Sequence, residues 1–178
     1  MRKHATEFVG VIDGQDVPPV VVLVGSEELL VRQSAAAIAG AIFGDDVDEG
    51  LARRNGDEAQ WRDIRDELAT VSMFASQRAV FVERADEFIK KNRASLEDYV
   101  AGPVRNSVLV LQPKSFPGNT KLAKAVAKSG AVVECTELVG GALAKWLGAT
   151  AKGQHGIELT RDAAALLVEL VGSRLSQL

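Results

Sequence analysis

The chain has 178 residues, 47% of them hydrophobic and 25% charged, which is enough for one ordinary domain with a substantial core. A formal charge of -3 gives no reason to expect the whole chain to bind nucleic acid tightly, and no apolar run reaches the roughly 18 residues of a membrane span. The single cysteine, Cys135, excludes an internal disulfide, and no apolar signal region follows the basic N-terminus. We therefore expect a cytoplasmic protein.

Short β-branched runs alternate with amphipathic segments over the first 135 residues. After a lead-in with a short helix near residues 7–12, the apolar runs predict five strands, at 20–24, 47–54, 79–83, 107–111 and 131–135. Helices are predicted between them at 27–43, 57–69, 86–101 and 120–128, with Ser26, Asp57 and Asn119 as N-caps. This order predicts an α/β domain with a mostly parallel five-stranded sheet and helices on both faces.

The β-rich runs stop after Thr136, which indicates a second domain. Apolar residues recur at helical spacing in two further segments, and Thr160 is a credible N-cap for the second of them. The residues on the two faces are Leu143, Trp146 and Leu147, then Leu166, Leu167 and Leu170. We expect an α/β domain over 1–137 and a helical domain over 138–178, the latter truncated because residues 174–178 look like the start of another element.

The first strand-turn-helix is where an α/β nucleotide-binding domain keeps its phosphate loop. The turn reads Gly25-Ser26-Glu27-Glu28-Leu29, with one glycine and no lysine, whereas a phosphate loop needs several glycines and a lysine. Glu27 and Glu28 would satisfy the helix dipole and repel a phosphate. The sequence therefore predicts no nucleotide site at this turn.

No catalytic, cofactor or metal site is predicted elsewhere. His4 and His155 have no Cys or carboxylate at ligand spacing, and Cys135 lies on a strand without a nearby histidine, so a core role is expected for it. The acidic residues Asp45, Asp46, Asp48 and Glu49 lack the glycine-bearing pattern of a calcium loop and are interpreted as a solvated loop.

Lys121, Lys124 and Lys128 lie on one stripe of a predicted helix. Such a stripe is usually a solvated face, but contact with DNA is an alternative that the sequence leaves open.

The connection Thr70-Val71-Ser72-Met73-Phe74-Ala75-Ser76-Gln77-Arg78 lies between a predicted helix and a predicted buried strand. Connections usually run over the surface and carry polar residues, yet Met73 and Phe74 are large and apolar. Such a pair either packs beneath the sheet or binds a partner. Residue pattern alone leaves both alternatives open.

The ordered set of motifs resembles the delta subunit of the bacterial DNA polymerase III clamp loader. The resemblance runs from about Pro19 to the C-terminus, and no single motif is diagnostic. Its parts are the strand-turn-helix Val21-Val22-Leu23-Val24-Gly25-Ser26-Glu27-Glu28-Leu29-Leu30, then Trp61, Ser72-Met73-Phe74-Ala75-Ser76-Gln77-Arg78, Ser107-Val108-Leu109-Val110-Leu111 and Val132-Val133-Glu134-Cys135.

The resemblance implies an AAA+-like three-layer domain that has lost its phosphate loop, followed by the start of a small helical lid domain. The family's third, collar domain assembles the loader with its other subunits, and we expect it to be absent from this chain. Family members bind the ring-shaped sliding clamp and open one of its interfaces without hydrolysing ATP, and DNA is engaged by the assembled loader.

The resemblance places the clamp contact at an apolar pair after a serine, which is Met73-Phe74 after Ser72 here, with Val71 as a further contact. The family often has Leu where this chain has Met73, a mild departure because Met is similar in size and adaptable. Two other functions stay open from the sequence: a divergent nucleotide-binding α/β ATPase, and a generic protein-interaction domain with some other partner.

Overall fold

The structure is a computed structural model that describes residues 1–12, 17–44, 51–70 and 77–176. The chain separates into two compact units, Met1–Cys135 and Thr136–Leu178. The acidic residues Asp45, Asp46, Asp48 and Glu49, predicted to form a solvated loop, lie outside the described residues.

The first unit contains a parallel sheet with the strand order β1-β6-β2-β5-β4-β3. Its strands among the described residues are β1 (Arg2–His4), β2 (Val20–Val24), β3 (Leu51–Asn55), β4 (Arg78–Glu83), β5 (Ser107–Gln112) and β6 (Ala131–Glu134). The predicted α/β class and parallel sheet are confirmed, whereas the predicted count of five strands is wrong.

The additional strand is β1, which lies at the sheet edge and pairs with β6 through Arg2↔Val132 and His4↔Glu134. Arg2 also forms an ion pair with Glu134 at 2.6 Å. Strand β1 has only three residues, all polar, so it shows none of the apolar alternation by which strands are predicted. Its pairing partner is what makes it a strand.

The helices of the described first unit are α1 (Ala5–Ile12), α2 (Glu28–Phe43), α3 (Trp61–Ala69), α4 (Asp86–Lys91), α5 (Arg93–Ala101) and α6 (Lys121–Ser129). The predicted helix over 86–101 is therefore two helices, separated at Asn92. The side-chain amide of Asn92 donates to the Phe88 carbonyl at 2.9 Å, which competes with helix continuation there.

Three predicted N-caps are wrong. The N-caps are Glu27, Gln60 and Thr120 in place of Ser26, Asp57 and Asn119. The Glu27 carboxylate accepts from the Leu29 amide at 3.4 Å. Asp57 instead forms an ion pair with Arg84 at 3.2 Å, a partner distant in the chain that a local pattern does not reveal.

The core lies on both faces of the sheet because successive strand residues point to opposite sides. One face packs against α3, α4, α5 and α6, and its buried strand residues are Val20, Val22, Val24, Val80, Val82, Leu109, Leu111 and Val132. Helix α2 contacts β2 and β4 and packs against α1. Burial on both sides explains why Val20–Val24 is a continuous apolar run.

The second unit contains α7 (Gly140–His155) and α8 (Arg161–Val171) among the described residues. Leu143, Trp146 and Leu147 are buried, and Thr160 caps α8 by accepting from the Ala163 amide at 3.2 Å. The predicted apolar face of α8 is not a buried one, since Leu166 and Leu170 are 55% and 74% exposed. None of the helices described in either unit is long and apolar enough to cross a membrane.

Candidate functional site

The connection that carries Met73 and Phe74 begins where α3 ends. The Thr70 amide donates to the Glu67 carbonyl at 3.2 Å, and the Thr70 hydroxyl donates to the Asp66 carbonyl at 2.8 Å. Because α3 leads into β4 of a parallel sheet, Thr70 at the end of α3 and Arg78 at the start of β4 lie at the edge formed by the amino-terminal ends of the strands. Val71, Ser72, Met73 and Phe74 lie outside the described residues, so their role in clamp binding stays a prediction.

The other end of the connection is held by β4. The Arg78 amide donates to the Asn106 carbonyl at 2.9 Å, and Arg78 pairs in register with Ser107 of β5. Asn106 has a positive φ of 57°, a conformation that asparagine adopts more readily than most residues. The chain therefore enters β4 at a fixed point, next to the loop that precedes β5.

A cavity of about 320 Å³ lies along this same edge, beside the end of the connection. Its lining includes Pro19 before β2, Gln77 before β4, and Val104 and Arg105 before β5. The described lining combines aliphatic and proline groups with the polar side chains of Gln77, Arg105, Asn106 and Ser107, and it includes no carboxylate, histidine or cysteine. The cavity is suited to binding a ligand through shape and apolar contact, and it is not suited to catalysis.

Trp61 positions the start of α3. Its ring makes an edge contact with Tyr99 at 5.4 Å between centroids and lies 6.3 Å from Phe88. These aromatic contacts join α3 to α4 and α5, and Ile64 and Leu68 of α3 are buried in the same core. Trp61 therefore acts through packing: it holds the helix from which the connection emerges.

The β2–α2 turn, where a phosphate loop would lie, is closed against the end of β6. The Gly25 amide donates to the Pro113 carbonyl at 3.2 Å and the Glu27 amide donates to the Cys135 carbonyl at 3.1 Å. Gly25 has a φ of +140°, and a Cβ there would overlap the Cys135 carbonyl oxygen. Both amides are thus committed to the chain itself, so a phosphate would have to displace backbone bonds and face Glu27.

Cys135 is buried, and burial raises the pKa of its thiol to about 11, an effect that the Ser34 hydroxyl offsets in part. A thiol with so high a pKa is almost wholly protonated at neutral pH and is a poor nucleophile or metal ligand. In the part of the chain that the structure describes, no three His, Cys, Asp or Glu side chains come together as metal ligands.

The predicted stripe of lysines on one side of a helix is confirmed. Lys121, Lys124 and Lys128 are exposed on α6, while Leu122 and Val126 of the same helix are buried. The closure of the β2–α2 turn was not predicted from the sequence. The sequence shows that Gly25 is a glycine, but no local pattern indicates its contact with Cys135 at the far end of the unit.

Comparisons with known proteins agree with one another. The family model for the DNA polymerase III delta subunit matches residues 22–136. A solved structure of the Bacillus subtilis DNA clamp loader delta protein (YqeN) superimposes with a TM-score of 0.82 at 24% sequence identity. The match covers 97% of this chain and 54% of that one, so this chain spans about half the length of the Bacillus protein. No curated protein matches.

The structural likeness, at that level of identity, establishes a shared fold. The family match extends from β2 to the end of β6 and includes the β2–α2 turn and the connection between α3 and β4. It covers well over half of the 178 residues and ends at residue 136, whereas the resemblance in the sequence was expected to continue to the C-terminus. The chain belongs to the DNA polymerase III delta subunit family.

Proposed function

We propose that this chain is the amino-terminal portion of a clamp-loader delta subunit, which binds the DNA sliding clamp and opens its ring during DNA replication. The observation that carries the proposal is the family match over residues 22–136, which includes the connection between Thr70 and Arg78. The described ends of that connection support it: both are anchored by backbone hydrogen bonds at one edge of the sheet.

The contact is made by Met73 and Phe74, with Val71 and Ser72 beside them. Each of the two large side chains would contribute roughly 1.5–3 kcal/mol on full burial in a pocket of the clamp. Two such anchors can dominate an interface. Ring opening then follows from a difference in affinity between the open and closed clamp, and it needs no chemistry from this subunit.

The chain acts without hydrolysing ATP. The closed β2–α2 turn supports this, because the Gly25 and Glu27 amides already donate to Pro113 and Cys135. On this proposal the first unit is an AAA+-like domain without a phosphate loop and the second is the start of the lid. The other loader subunits assemble through a collar domain. A role in replication places the protein in the cytoplasm, with the chromosome.

The test is binding of the chain to the sliding clamp of the same organism, for wild type and for the Met73→Ala/Phe74→Ala variant. Loss of two buried anchors should weaken binding at least about 100-fold, since each 1.4 kcal/mol is a factor of ten. Calorimetric titration of the wild type with ATP and magnesium should show no binding.

A matched control is Leu166→Ala/Leu170→Ala on α8, which removes two exposed leucines of comparable size. This variant should bind the clamp like the wild type. Clamp binding that survives Met73→Ala/Phe74→Ala would move the contact elsewhere, and a variant that no longer unfolds cooperatively would show that the pair belongs to the core. Absence of binding by the wild type would favour an interaction domain with a different partner.

A further inference from the structure

One stretch of this acidic chain has no carboxylates. The chain has 24 Asp and Glu residues against 21 Lys and Arg, yet residues 102–133 contain five cationic side chains and no acidic one. The cations are Arg105, Lys114, Lys121, Lys124 and Lys128. This stretch supplies β5, the loop after it and α6, and three of its five cations lie on α6.

Three of these lysines form a row along the outer face of α6, here called the α6 lysine row: Lys121, Lys124 and Lys128. The spacing i, i+3, i+7 places them on one side of the helix, opposite the buried Leu122 and Val126. With a rise of 1.5 Å per residue, the row is about 10 Å long. It lies on a helix whose inner face is part of the core, so its backbone is held rigidly.

The positive charge of the row is only partly neutralised within the protein. Lys121 forms an ion pair with Glu97 of α5 at 3.1 Å, although its own side chain is 84% exposed. Lys124 and Lys128 have no carboxylate within ion-pair distance among residues 1–12, 17–44, 51–70 and 77–176. Two cations thus stand exposed on one helical face and would gain from an external anion.

The carboxyl end of α6 carries a further cation. The N-terminal ammonium of Met1 donates to the carbonyls of Ala127 and Gly130, at 2.7 and 2.8 Å. The two alanines between the lysines, Ala125 and Ala127, are small and leave the lysine side chains accessible. The outer side of α6 therefore carries three lysines, and a fourth cation lies at its carboxyl end.

We propose that the α6 lysine row binds the phosphate backbone of duplex DNA. Duplex DNA carries one negative charge per roughly 1.7 Å of its axis, so a row of about 10 Å faces about six phosphates. Lysine binds a phosphate as a point charge, and a contact with a phosphate carries no sequence information. The contact is therefore independent of sequence and weak when the chain is alone.

This inference rests on the proposed function for its choice of polyanion, since a clamp loader works where a clamp is placed on DNA. It adds to that function a surface of the chain's own that touches DNA. The lysine row and the clamp-binding residues are carried by different connections of the sheet, namely α6 and the segment between α3 and β4. Substitutions in one should leave the other intact.

The experiment measures fluorescence anisotropy of a labelled duplex titrated with the 178-residue chain at several salt concentrations. Two phosphate contacts, or three if Lys121 leaves Glu97, predict a slope of about -1.8 to -2.7 for log K against log salt, or about a 12- to 40-fold loss of affinity between 50 and 200 mM. Lys121→Gln/Lys124→Gln/Lys128→Gln should remove that salt-dependent binding. Glutamine has nearly the helix propensity of lysine, so α6 should remain folded, which circular dichroism checks.

A matched control is Arg32→Gln/Arg62→Gln/Arg65→Gln, which lowers the net charge by the same amount on exposed positions of α2 and α3. Helix α3 contacts β4 and β5, whereas α6 contacts β2 and β6. The control should keep most of the salt-dependent binding. The proposal is overturned if the lysine variant binds duplex like the wild type, if the control loses as much as the lysine variant, or if the wild type shows no salt-dependent binding.

Binding to the sliding clamp separates this inference from the proposed function. The lysine variant should bind the clamp like the wild type, and Met73→Ala/Phe74→Ala should bind duplex like the wild type. A chain that binds DNA through α6 but does not bind the clamp would remove the proposed function and keep the inference. A chain that binds the clamp but does not bind DNA through α6 would keep the proposed function and remove the inference.

Discussion

Replacing Gly25 by alanine should strongly destabilise the α/β unit, because the residue is pressed against the end of β6. A Cβ at this position would overlap the Cys135 carbonyl oxygen and lie 2.5 Å from the carbonyl carbon. The obstacle is backbone rather than the far end of a flexible side chain, so it has no inexpensive way to move. Gly25 also has a φ of +140°, a conformation that L-residues rarely adopt.

The magnitude follows from two contributions. Holding alanine in this conformation costs of order 1–3 kcal/mol. The added Cβ also pushes the turn away from Cys135, so the bonds from the Gly25 amide to Pro113 and from the Glu27 amide to Cys135 are lost, at about 0.5–1.5 kcal/mol each. We expect the free energy of unfolding to fall by the sum, about 2–6 kcal/mol, a large part of the stability of a small domain.

The assay is urea unfolding followed by tryptophan fluorescence in a Trp146→Phe background. Trp61 then reports on the first unit alone, where it packs against Tyr99 and Phe88. The matched control is Gly40→Ala in α2, an exposed helical glycine with nothing within 4 Å of a Cβ placed there. This control should be more stable by about 0.5–1 kcal/mol because alanine is the better helix former.

Equal changes in the free energy of unfolding for Gly25→Ala and Gly40→Ala would refute the reasoning. A loss below about 1 kcal/mol for Gly25→Ala would mean that the turn is free to move, since even the strain by itself should cost that much. The closed turn would then no longer be an argument against phosphate binding.

Two further predictions concern stability. The pKa of the buried Cys135 thiol is raised from 9.0 to about 11, so the folded state keeps a proton that the unfolded chain releases above pH 9. Relative to Cys135→Ala, the wild type should lose about 2 kcal/mol of stability between pH 9 and 11. A difference between the two that does not change with pH in urea unfolding would contradict the burial of this thiol. Thr120 caps α6 by accepting from the Ala123 amide at 3.1 Å, so Thr120→Ala should cost about 1 kcal/mol in the same assay. Thr120→Ser retains the hydroxyl and should cost less, and equal losses for the two would show that the cap contributes little.

The burial of the central strands could be predicted from the sequence. The run Val20–Val24 and the interiors of β4 and β5 are continuously apolar because both faces of the sheet are covered, and such runs predict a parallel sheet between helices. The ordered motifs along the chain were sufficient to indicate the delta subunit family, and the family match confirms it. The clamp contact at Met73 and Phe74 stays a prediction.

Features that depend on a contact with a residue far away in the chain show no such pattern in the sequence. Strand β1 forms because Arg2–His4 pairs with β6. Asp57 was expected to cap a helix, but it forms an ion pair with Arg84 instead. The closed turn at Gly25 likewise requires Cys135, which lies at the far end of the unit in the chain.

The sequence by itself therefore determined the class of the fold and the family, since periodicity and local motifs are properties of neighbouring residues. Only the tertiary structure decided the strand order, the helix caps and the closure of the turn. These depend on which segments come together in space, and contacts between residues far apart in the chain leave no local pattern.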